Sequence, residues 1–202
     1  MITLQASLGL MIGLFAGIGW SRGWAREVVA ASGLILTLFA IDQVGYNVLR
    51  LIGAAPDAGV VYSTEQMASI QRLQIMFLSG FVIIMAIFSY QGPKLATAVA
   101  ARLRLRENIG ERILGLIAGA VNGYFIVGSI QSFNEYILES SGWVRLPFGQ
   151  QYVLAPTVIR PVYQTIEQWE NSYLTYMPPQ FLAPYLLPML IVVFLFVIVV
   201  LI

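Results

Sequence analysis

The chain has no cysteine and no histidine. Their absence excludes a disulfide framework, a Cys nucleophile, a Ser-His-Asp triad and the usual zinc or haem ligand sets. Charge is scarce too. Only 10% of the 202 residues are Asp, Glu, Lys or Arg, against about a quarter in an ordinary soluble domain. Neither sign dominates: 11 basic and 10 acidic residues leave a net charge of +1, which selects no polyanionic partner. No long repeat or low-complexity tract is visible. Apolar residues are abundant instead, at 58% with a mean hydropathy of +0.79. A water-soluble globular protein is therefore ruled out, and the length is better counted in membrane crossings of ~20 residues.

Five apolar runs are long enough to matter: 2–20, 28–52, 73–90, 113–133 and 185–202. They are continuous rather than alternating, which points to helices rather than a barrel. The expected fold is an all-α integral membrane protein with about five transmembrane helices plus amphipathic interfacial helix segments. No basic residue precedes the first run, so it does not read as a cleaved signal peptide. Three regions follow. Residues 1–135 form a four-helix membrane core, 136–184 an aromatic-rich outer or interfacial segment, and 185–202 a final span. Residues 21–27 read as a short charged hinge and 53–66 as a loop. Val158, Val162, Ile166, Trp169 and Tyr173 recur at helical spacing and predict an amphipathic helix, at the headgroup level or packed on the bundle.

Lys and Arg set orientation. Arg22 and Arg26 follow the first run; Lys94, Arg102, Arg104, Arg106 and Arg112 lie between the third and fourth. Both links are expected in the cytoplasm, with the N-terminus outside and the C-terminus inside. Residues 94–106 also suit an anionic lipid leaflet, or serve only to fix topology. Nucleic-acid binding is not indicated.

Asp42 is the carboxylate well inside an apolar run. It is either part of a proton or cation path, or an outer-interface group hydrogen-bonded or paired with Arg50. Asn122 is expected to bond between helices. Gly9, Gly13 and Gly17 form a ladder in the first run, and Gly115, Gly119 and Gly123 a second in the fourth. Spacing by four lines each set along one side of a helix and permits close backbone approach. An antiparallel pairing is expected, Gly17 on Gly115, Gly13 on Gly119 and Gly9 on Gly123. At its rim Arg22 and Arg26 would meet Glu107 and Glu111, and Glu27 would meet Arg112.

Two short motifs surround these residues. One is Arg22-Gly23-x-x-Arg26-Glu27, with Gly33 following in the next run. The other is Glu111-Arg112-Ile113-Leu114-Gly115, continuing through Gly119 and Gly123. Over roughly residues 1–135 the chain resembles the colicin V production (CvpA-like) family of bacterial membrane proteins. The resemblance implies a multi-pass inner-membrane protein tied to toxin production or secretion and to envelope homeostasis. It implies no catalytic activity and no cofactor. The function expected is a non-enzymatic accessory factor of the bacterial inner membrane, associating with other membrane proteins or with itself. Alternatives are a scaffold subunit of a larger membrane complex, and a small channel or transporter using Asp42.

Overall fold

The computed structural model describes residues 2–57, 59–91, 109–146, 158–159, 165, 168, 170 and 172–201. A two-residue strand, β1 (Ile2–Thr3), leads into α1 (Leu4–Arg22), whose first turn is capped by Thr3 Oγ1 accepting from Ala6 N at 3.3 Å. Then come α2 (Trp24–Leu51) and α3 (Thr64–Tyr90). α4 (Ile109–Gly123) passes through a π-helical turn at Tyr124–Gly128 into α5 (Ser129–Ser132). The fold is all-α and membrane-type, with four helices long and apolar enough to cross a bilayer. The last helix, α6 (Leu186–Leu201), has 16 residues, or ~24 Å at 1.5 Å each. It is shorter than the other four.

The helices outrun the apolar runs because polar first turns are helical as well. The charged hinge shrinks to Gly23 alone, so residues 24–27 belong to α2. Gly23 has φ 80° and ψ 156°, a conformation that only glycine adopts without strain. The loop before α3 ends at Ser63, whose side chain caps Gln66 N while Gln66 Oε1 accepts from Ser63 N at 2.9 Å. This capping box starts α3 nine residues before the apolar run.

α2 is the central helix. Its Leu34, Leu38, Ile41 and Leu49 share one buried core with Ile75, Leu78, Val82 and Ala86 of α3 and with Phe125, Ile126 and Leu186. α1 packs chiefly on α4.

Beyond α5 the chain forms a hairpin, β2 (Tyr136–Glu139) with β3 (Gly142–Arg145), antiparallel from Tyr136↔Arg145 to Glu139↔Gly142. It sits over the ends of α2 and α3 remote from Gly23. Gln74 of α3 acts as a piece of a third strand: its Nε2 donates to Leu138 O and its Oε1 accepts from Leu138 N, both at 2.9 Å. Of the amphipathic helix expected from Val158 to Tyr173, Gln168 and Glu170 are helical, but the two described ends are not. Val158–Ile159 (β4) pairs in parallel with Ile2–Thr3, and Tyr173–Tyr176 is a 3₁₀ turn. Leu174 there is buried against Leu4 and Leu8, so burial on α1 outweighs helical period. Val162, Ile166 and Trp169 lie outside the described residues.

Candidate functional site

The turn at Gly23 sends α2 back beside α1 and places Glu27 in the first turn of α2, where a carboxylate suits the unpaired N–H groups. Glu27 is fully buried. An isolated charge there costs several kcal/mol, so it must be compensated. Each of the other three long helices supplies one partner. Arg22, closing α1, brings its Nε to 3.2 Å from Glu27 Oε1. Tyr90, closing α3, donates its hydroxyl to Oε2 at 2.9 Å. Asn122, buried within α4, donates Nδ2 to Oε2 at 2.8 Å and to the Glu27 carbonyl at 2.9 Å.

The partners also hold one another. Arg22 Nη2 donates to the Tyr90 carbonyl at 3.2 Å, and the guanidinium carbon lies 4.3 Å from the centre of the Tyr90 ring. Phe15 of α1 meets the same ring edge-on, centroids 6.1 Å apart. The arrangement fixes a charge; it offers no nucleophile with a base. Among the described residues no group of three acids is placed to hold a metal ion.

α1 and α4 meet antiparallel, but not ladder on ladder. A Cβ on Gly119 would lie 2.9 Å from Gly19 Cα and 3.1 Å from Gly19 N, inside the other helix's backbone. Gly115 lies against Gly19 and Gly23, and Gly123 against Ile12 and Phe15. Gly9, Gly13 and Gly17 have nothing within 4 Å of their Cβ positions, so the expected pairings with Gly123, Gly119 and Gly115 do not form. The reason is steric. The α4 glycines make a channel, and it is filled by Ile12 and Phe15 on the other side of α1, with Gly19 admitting direct backbone contact.

The ionic rim also differs. Arg22 pairs with Glu27 of its own turn rather than with Glu111, and Glu27 does not pair with Arg112. Burial decides it: the turn at Gly23 carries Glu27 inward, while Arg26 and Arg112 stay exposed. Glu107 lies outside the described residues.

Asp42 lies at the opposite end. Its Oδ1 accepts from the Trp143 indole at 3.3 Å and its Oδ2 from Gln43 at 3.1 Å. Arg50 is not its partner; it pairs with Asp57 at 3.3 Å. Trp143 itself stacks on Phe133, centroids 5.9 Å apart. Asp42 thus ties the hairpin to α2. Nearby, burial holds the Tyr136 phenol above its ordinary pKa, the Glu135 charge adds to this, and Arg145 opposes it. Asp42→Asn keeps an oxygen for the indole. We expect it to shift stability by under about 1 kcal/mol in thermal unfolding and to leave ion flux in liposomes unchanged. Loss of a measurable proton or cation flux on this substitution would return Asp42 to a transport path.

Tyr90 and Trp143 were not singled out in the sequence. A Tyr ending an apolar run is common at membrane interfaces, and nothing local points it at Glu27, 63 residues away. Compared with protein-family models, with curated proteins and with solved structures, the chain matches none of them.

Proposed function

We propose that the protein is a non-enzymatic, multi-pass component of a bacterial inner membrane, resembling the CvpA-like family and acting as an accessory or scaffold factor of envelope and secretion machinery. The observation that carries this is the Glu27 cluster. A group that moves ions must exchange partners and meet water. Glu27 instead has fixed partners from every long helix, which is how a scaffold uses a buried charge. Asp42 is likewise engaged by Trp143 and Gln43, which supports a structural use over a channel. Its partners are other membrane proteins or a second copy of the chain, with anionic lipid beneath Lys94–Arg106.

The orientation proposed is N-terminus outside, from the Lys and Arg distribution, and C-terminus in the cytoplasm, with α6 as a fifth crossing. Mild-detergent purification from native membrane should retain a stoichiometric set of membrane partners. A protein isolated without partners that conducts ions in liposomes would overturn the reading. The absence of native cysteine makes the orientation testable with an impermeant thiol reagent in intact cells. Gln150→Cys should label, whereas Ser21→Cys and Ala98→Cys should not. The reverse pattern inverts the topology.

A further inference from the structure

An apolar groove of about 680 Å³ runs between α2, α3 and α6. Val29, Gly33 and Leu36 form one wall, Phe88 lies on the second, and Ile191 and Phe194 on the third. The two hydroxyls in the lining are turned away from any ligand. Ser32 donates to Val28 O at 2.8 Å and Ser89 to Met85 O at 2.7 Å, each within its own helix. A polar molecule would find no partner here and would lose its hydration. The size is in the range of small-molecule sites, roughly 300–1,000 Å³, and far too small for a transmembrane helix of ~20 residues.

One charge stands beside the groove, outside its lining. Residues 26, 29, 33 and 36 are spaced by three, four and three, so Arg26 stands on the groove side of α2, about one turn above Val29. Arg26 is exposed, and among the described residues no ion pair or hydrogen bond engages it. The neighbouring Arg22 is already committed to Glu27 and Tyr90. A free guanidinium at a span end, over a dry groove in the membrane-crossing region, complements an amphiphile with an acidic head.

We propose that this groove seats an acyl chain of one anionic phospholipid, with Arg26 pairing with its net negative headgroup, whose phosphate has no ammonium of its own to neutralise it. The inference rests on the helices lying in a bilayer and not on the accessory role, so either can fail without the other.

The test is native mass spectrometry of the full chain in mild detergent, titrated with phosphatidylglycerol or phosphatidylcholine of equal chain length. One phosphatidylglycerol should be retained, at about tenfold lower concentration than phosphatidylcholine. Arg26→Gln should bring the two lipids level. Ile191→Trp and Leu36→Trp project an indole into the groove from exposed positions on opposite walls, and each should weaken both lipids. Equal retention of the two lipids by the unmodified chain overturns the proposal. So does loss with Arg26→Gln while both Trp variants are silent, which would mean a headgroup contact without a seated chain. Retention of a second protein chain in place of lipid overturns it as well.

Discussion

Arg22→Gln should lower the stability of the detergent-solubilised protein by about 3–5 kcal/mol, the usual cost of leaving one half of a buried ion pair. Glu27 has no exposed surface, so its charge cannot be relieved by water, and Tyr90 and Asn122 satisfy only Oε2. Glu27→Gln should cost less, about 1–3 kcal/mol. It removes the charge but keeps an oxygen for Tyr90 and Asn122. Arg22, with its side chain 23% exposed, retains water, the Tyr90 carbonyl and the Tyr90 ring. The double variant should therefore be more stable than Arg22→Gln alone. Thermal unfolding of all four proteins closes the cycle. Additive losses would mean that the two side chains do not share the interaction, and the account of the cluster would fail.

A larger effect is expected from Gly119→Leu. Its first added carbon already falls among backbone atoms of Phe15 and Gly19. Backbone cannot change rotamer, so α1 and α4 must separate and give up the packing of Ile12 and Phe15 in the glycine channel. Overpacking usually costs about 1–3 kcal/mol and more where nothing yields; here, with only backbone in the way, the loss should exceed that range or prevent a folded yield. Gly13→Leu, on the open side of α1, should change stability by less than about 0.5 kcal/mol. Equal losses at the two positions would place Gly13 in the interface after all.

The contrast between those glycines shows what could be read in advance. Charge-free runs and spacing by four are properties of neighbouring residues, and they located the long helices and the α4 channel. They do not say which side of α1 faces it. Gly17 and Gly19 are two residues apart, about 160° around a helix, and both are glycine. The choice between them was made by Ile12 and Phe15, which have the bulk to fill what α4 leaves open. The site was legible by halves in the same way. Arg22, Glu27 and Asn122 stand out as polar groups next to or inside apolar runs. Their pairing follows instead from the turn at Gly23 and from separations of 63 and 95 residues. The hairpin was hidden for another reason. Its strands are four residues each, and their Tyr, Ile, Leu, Trp and Val read equally well as an interfacial helix.

Glu27 also imposes an order on biogenesis. Synthesis runs from N- to C-terminus, so α1 and α2, which hold the acid and its arginine, leave the ribosome before α3. Tyr90 arrives when α3 is complete. The Nδ2 group of Asn122 arrives last, on a helix that begins at Ile109. Without α4, Glu27 would lack the Asn122 donor, and the face of α1 that Gly115, Gly119 and Gly123 pack against would be uncovered. A chain interrupted before Asn122 would therefore carry a Glu27 carboxylate held by Arg22 and Tyr90 alone.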